Sequence, residues 1–557
     1  MEGRHVDGLS GKAAFEISRI SQLPTREWRD SARVSAMTSV CKTPGGQQTL
    51  RPIQAISLEE GWRHRGLFKH GRVGCGKTLT AGLLPYLWGS ERPALCVRAA
   101  DVKDTRDVHA ELRRHWKIPR NIRVVSYNFL SDPKNEGWLA RNRIDALVLD
   151  EGQKAKDIKK STCAIRIQRH VLANPSIPVA VLSGTLSPHG DLDDYAHLLL
   201  WCLRRHAPIP QDPSVCRRWA RILRGGGDPA ALLHAHDHDH AEELFAERMR
   251  LTPGVVISSD FFDDVPLKIV HKIHDASEAS RENFHTLRTL WEAPDGWSYS
   301  DDESAFQTAE VARQFANGFW YGHVPRPPPW FLKIRKAWTR KVSQLVEAGV
   351  ADSEGSIRYK IREGKLSEGL EELKAWDEAK ASFPLKTQAE WVDLDAVKYA
   401  SEWITKHKRN GLVWVQHTEV GLAIAKVTGC KFIHGQTSEN ILKETGDRCV
   451  ITSIQHAGTS KNLQYAFWKN LFLNPPANGE AIEQAIGRTH REGASREVLA
   501  EFYVSCREHR QAVLKSIQAA GKISRTLSPQ KMQRAPLPDV STQDHPAWAK
   551  SIPLNAE

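Results

Sequence analysis

Gly71-Arg72-Val73-Gly74-Cys75-Gly76-Lys77-Thr78 fits the pattern G-x-x-x-x-G-K-[ST], and Thr80–Leu87 beyond it reads as the start of a helix. Glycines let successive backbone N–H groups curl around phosphate oxygens at a helix N-terminus. Lys77 adds positive charge there, and Thr78 offers Mg²⁺ a hydroxyl. The bland alternative is a chance glycine-rich turn, and the strand before it is short, only Leu67-Phe68. Working outward, the apolar runs Ala94–Val97, Val124–Tyr127, Ala146–Leu149 and Val179–Leu182 alternate with longer helix-like stretches. That is the rhythm of a parallel α/β sheet.

The run Ile144–Leu149 ends in Asp150-Glu151-Gly152-Gln153. Burying two carboxylates at a strand end is costly unless something compensates them. A Mg²⁺ ion does so: Asp150 would hold it through water, and Glu151 would orient and deprotonate an attacking water. An acidic helix N-cap is the alternative. Val179–Leu182 leads into Ser183-Gly184-Thr185, whose hydroxyls can bond such carboxylates but are also ordinary turn residues.

A second α/β rhythm appears at Leu412–Val415, Cys449–Thr452, Leu471–Leu473 and Val498–Val504. Within it, Gln484, Arg488 and Arg491 stand at i, i+4 and i+7, which predicts one face of one helix. Two guanidinium groups on one face suit a transferring γ-phosphoryl group, or alternatively a solvated basic face. The polar stretch 458–464, with Ser460 and Lys461, offers a loop for nucleotide or nucleic-acid backbone.

The whole set, Leu50-Arg51-Pro52-Ile53-Gln54, GRVGCGKT, DEGQ, SGT, TSKNLQ and QAIGRTHR, resembles in order the motifs of superfamily 2 helicases and translocases, closest to the Swi/Snf-type DNA-dependent ATPases. Val124–Tyr127, Val265–Lys268 and GRTHREG at 487–493 resemble stretches of that branch. The resemblance covers about 50–270 and 395–505. It implies two RecA-like lobes with ATP in the cleft between them. Gln54 would then read adenine, and Gly71, Gly74, Gly76, Lys77 and Thr78 would hold the phosphates, with Mg²⁺ on Thr78 and Asp150. Arg488 and Arg491 would be arginine fingers, with Gln484 beside them. Three positions depart from the family: Gln153 where His is usual, basic Lys69-His70-Gly71-Arg72 where acidic residues are usual, and Arg98-Ala99-Ala100 in place of a Pro-containing motif.

The 557 residues carry 78 Lys+Arg against 66 Asp+Glu, a net charge of +12, which favours a polyanionic partner. Nine cysteines with no C-x-x-C pair fit a reducing, cytoplasmic setting, and the absence of an apolar run of ~18 residues argues against a membrane span. The expected organisation is a mobile leader at 1–45, a first RecA-like lobe with a helical extension at 46–260, a helical insertion at 261–390, a second lobe at 391–525 and a Pro-rich tail at 526–557. In the insertion, Lys333, Lys336 and Arg340 share a basic helix face beside Trp330 and Trp338, a candidate nucleic-acid contact or an amphipathic helix facing water. The His234–His240 run reads as a solvated loop or helix start, with no metal assigned.

The function expected is an ATP-dependent DNA translocase or helicase acting on single- or double-stranded DNA. The alternatives are an ATP-gated nucleic-acid-binding or protein-remodelling factor that does not translocate, or the motor of a nuclease or restriction complex. The last would act with a separate nuclease or a replication or recombination protein.

Overall fold

The computed structural model describes the chain except residues 1–10, 27–30, 72–74, 99–100, 157, 159–160, 185–190, 258–264, 291–303, 326, 352, 384–385, 458–460, 477–478, 492, 528–529 and 538–557. Contacts divide it into two compact units. One is Met1–Asp260 with Ala348–Arg362 and Gly521–Pro529; the other is Phe261–Glu347, Glu363–Ala520 and Gln530–Glu557.

The first unit holds a parallel six-stranded sheet. Its strands are β1 (Gly66–His70), β2 (Pro93–Val97), β3 (Arg123–Ser126), β4 (Ala146–Asp150), β5 (Val179–Ser183) and β6 (Val255–Ile257), in the order β3-β2-β4-β5-β1-β6. Helices cover both faces, so the central strands β2, β4 and β5 read as apolar runs rather than alternating ones. Phe68, Leu147, Leu149, Val179 and Val181 enter one core, while Leu67, Ala146, Val148, Ala180 and Leu182 enter the other.

The second unit adds β7 (Leu267–Ile273), β8 (Phe319–His323), β9 (Thr387–Trp391), β10 (Gly411–Val415), β11 (Phe432–Ile433), β12 (Val450–Ser453), β13 (Lys469–Phe472) and β14 (Val498–Val504). Its parallel sheet has the order β11-β12-β10-β13-β14-β7, and β8 pairs with β9 antiparallel. The fold class is therefore α/β with two parallel six-stranded sheets and many helices.

Several boundaries differ from the sequence reading. Residues 11–26 are not a free leader: the helix Gly11–Ser21 buries Ala13, Ile17 and Ile20 in the first unit's core. Arg19 locks that helix down by donating to the carbonyls of Arg205, Ala207 and Ile209 at 2.6–3.0 Å. The apolar stripe of a single short helix is a weak signal until its partner surface exists. The 261–390 stretch, expected to be largely helical, also carries strands. It supplies β7, an edge strand whose sequence LKIVHKI lacks the apolar run of a central strand, and which pairs with β14 over its whole length. From the expected tail, Met532 and Ala535 join the second unit's core, and the backbone N–H of Met532 donates to Glu483 at 3.0 Å. Residues 538–557 of that tail lie outside the described residues. No described helix is long and apolar enough to cross a membrane.

Candidate functional site

The strands β1, β5 and β4 are neighbours, and their carboxyl ends are level: His70 is paired with Ser183, and Asp150 with Leu182. The Gly71 N–H donates to the Ser183 carbonyl at 2.9 Å, which ties the start of the glycine-rich loop to the tip of β5. In open parallel sheets, ligands bind outside the carboxyl ends of the strands. Here those ends gather most of the first unit's expected site residues.

Gly76 caps the helix Lys77–Leu87 with φ +75°, and a Cβ there would lie 2.0 Å from Gln54 Nε2. The position thus needs glycine for its left-handed backbone and for the close approach of Gln54. Gln54 sits in the first turn of the helix Pro52–His64 and accepts from the Arg51 N–H at 2.8 Å. Lys77 Nζ lies 3.5 Å from the Gly71 carbonyl and 3.5 Å from Glu151 Oε1. Thr78, next along the helix, is half-buried. Gly74 lies outside the described residues.

Glu151 adopts φ 52°, ψ 51°, a left-handed conformation unusual for a side chain with a Cβ and costing on the order of 1–3 kcal/mol. Gln153 Nε2 donates to Glu151 Oε2 at 2.8 Å, and Ser183 Oγ donates to Gln153 Oε1 at 2.6 Å. Beneath them, the Tyr127 hydroxyl donates to the Asp150 carbonyl at 2.8 Å. Burial, then the charge of Glu151, pushes the Asp150 carboxyl above the usual range, against the opposing pull of Lys77. Two crowded carboxylates beside one lysine are a donor set that a hard divalent cation would neutralise. Among the described residues, no three His, Cys, Asp or Glu side chains gather into a metal cluster. The His234–His240 run starts the helix His238–Leu251, with Asp237 accepting from the His240 N–H at 2.8 Å.

Lys69, a basic departure from the family pattern, is buried, its Nζ 3.1 Å from Thr80 Oγ1 and 3.5 Å from the Cys75 carbonyl. Burial lowers its pKa. Its place in the all-buried β1 is the signal that could have marked it.

In the second unit, Gln484 and Arg488 are both buried on the helix Gly479–Thr489, and Gln484 Nε2 donates to Glu480 at 3.0 Å. Arg491 does not share that helix face, because the helix ends at Thr489. There the Thr489 hydroxyl accepts from Asn470 Nδ2 at 3.0 Å, the His490 ring nitrogen reaches the Val265 carbonyl at 2.9 Å, and Gly493 turns the chain at φ +84°. Arg491 instead bonds the Asn462 side-chain carbonyl, and the Arg488 carbonyl accepts from the Leu463 N–H at 3.1 Å. Both arginines are thereby tied to the segment after Lys461, which is itself buried. Ser460 lies outside the described residues.

On the helix Pro329–Glu347, Lys333, Arg340 and Trp330 are exposed, while Phe331 and Trp338 are buried. Trp338 is thus core rather than a surface aromatic, since it lies on the apolar stripe with Phe331. The Lys336 side chain lies outside the described residues. No family model matches the chain, and no curated protein matches it.

Proposed function

We propose that the chain is an ATP-dependent nucleic-acid motor, a DNA-dependent ATPase of the helicase or translocase type, built on two RecA-like lobes. The observation that carries the reading is the convergence of Gln54, Gly76, Lys77, Asp150, Glu151, Gln153 and Ser183 at the carboxyl ends of β1, β4 and β5. In this reading Lys77 and the loop N–H groups bind the phosphates, and Gln54 contacts the adenine. Glu151, held from two sides by Lys77 and Gln153, orients the attacking water and accepts its proton. Mg²⁺, when bound at Thr78 and Asp150, would supply charge neutralisation at the β- and γ-phosphates. Arg488 and Arg491 of the second unit are assigned to the charge that develops on the γ-phosphoryl group.

A nucleic acid as the polyanion is supported by the +12 net charge and by the exposed Lys333 and Arg340. The deciding experiment is the ATPase rate with single-stranded DNA, duplex, fork and RNA. Stimulation by DNA supports the motor reading. A rate indifferent to every nucleic acid favours the protein-remodelling alternative.

A further inference from the structure

Along the outer edge of the first sheet, a groove of about 640 Å³ runs between β3 and the helix Val102–Leu112. Arg106, Arg113, Arg120 and Arg123 line it together with Phe129 and Trp138, and no carboxylate does. Neutral acceptors hold three of the arginines in place. Arg106 donates to the Val124 carbonyl at 2.9 Å, Arg113 to those of Ile118 and Pro119 at 3.1 and 3.0 Å, and Arg123 to the Asn142 side chain. Carbonyls fix geometry without cancelling charge. Among the described residues, none of the four pairs with an Asp or Glu, in a chain that carries 66 of them. Burial first, and then the neighbouring Arg120, lower the Arg113 pKa.

Phe129 and Trp138 pack edge to face, with centroids 5.4 Å apart, and both rings are half-buried where they meet the groove. Guanidinium groups beside an aromatic platform are the combination that single-stranded nucleic acid uses, with phosphates on the arginines and bases on the rings. Arg106 lies on the helix Val102–Leu112 and Arg113 caps its C-terminal end seven residues on, roughly 10 Å along the axis. That spread meets successive phosphates of a strand. A free nucleoside triphosphate is instead met by N–H groups converging on one helix N-terminus.

We propose that this groove binds a single-stranded nucleic-acid segment, as a site separate from the strand tips that carry Lys77 and Glu151. The identity of the ligand rests on the motor reading above; the charge and shape of the groove do not.

The test is fluorescence anisotropy of the full chain with a labelled single-stranded oligonucleotide, without ATP, over a salt series. Arg120 is exposed and makes no side-chain bond among the described residues, so its variants keep the fold, which an unchanged Tm verifies. Arg120→Glu is expected to weaken binding about tenfold, and Arg120→Gln to reduce the salt slope by about 1. Wild-type affinity and slope in both variants, while the unaltered chain binds, would overturn the groove alone. Failure of the unaltered chain to bind any oligonucleotide would overturn the groove and the motor reading together.

Discussion

Gln153 holds Glu151 by a neutral contact, its Nε2 donating to Glu151 Oε2 at 2.8 Å while its own carbonyl oxygen accepts from Ser183 Oγ at 2.6 Å. An amide cannot change charge, so the orientation it imposes does not depend on pH across the range where a histidine would titrate. Gln153→Ala should therefore lower kcat on the scale of ~10², the cost of a small misplacement of a catalytic group, with ATP binding near wild type. Ser183→Ala should act less strongly, and the double variant should be little worse than Gln153→Ala because the two act in series. Wild-type turnover in Gln153→Ala would mean that Lys77 alone positions Glu151.

Lys77 and Glu151 form an ion pair at 3.5 Å yet are assigned different tasks. Lys77→Ala should abolish hydrolysis and weaken ATP binding. Glu151→Gln should retain binding and stop turnover, since it spares the phosphate cradle. Equilibrium binding of a fluorescent ATP analogue, set beside phosphate release, separates the two, and turnover in Glu151→Gln would remove the base assignment.

Arg488 is buried inside a helix, and Arg491 lies beyond its end against Asn462. Either Arg→Ala change should lower kcat on the scale of ~10³ with little loss of ATP affinity. Only Arg488→Ala should also lower Tm, because it empties a packed position. A fall in nucleotide affinity with kcat preserved would assign these arginines to ground-state binding.

His417 follows β10 in a buried pocket facing Glu310 at 3.6 Å, with Arg313 nearby. Burial holds its pKa down to about 4, against the upward pull of Glu310, and burial holds His509 down to about 3. Both stay neutral in the fold where the unfolded chain would take up protons, so stability falls as pH drops from about 6.5 toward 4, by up to ~1.4 kcal/mol per pH unit for each. Denaturant melts at pH 7.5 and pH 5 should show that loss, and His417→Gln should shrink it. An equal loss in the variant would place the titration elsewhere.

The capping Gly76, the acidic pair at the end of β4 and the apolar runs of β2, β4 and β5 were legible because each rests on a short local pattern. A strand buried on both faces announces itself by composition. The helix Gly11–Ser21 and the strand β7 were not legible, since the first is an ordinary amphipathic stripe and the second an edge strand of mixed polarity. The i, i+4, i+7 spacing put Arg491 on a helix face that ends two residues earlier, because a contact with Asn470, distant in sequence, and the turn at Gly493 terminate the helix.

By itself, then, the sequence determined the α/β class, the glycine-rich motif at 71–78 and the candidate metal ligand and base at Asp150 and Glu151, all of which depend on neighbours within a few residues. Only the tertiary structure decided that Lys69 is buried against Cys75 and Thr80, that Ser183 reaches Glu151 through Gln153, and that four arginines meet along β3 without a carboxylate among the described lining. Those relationships join segments far apart in the chain. Pairing across a parallel sheet sets which side chains meet at its strand tips and edges, and which strands become neighbours depends on long crossover connections rather than on any local pattern.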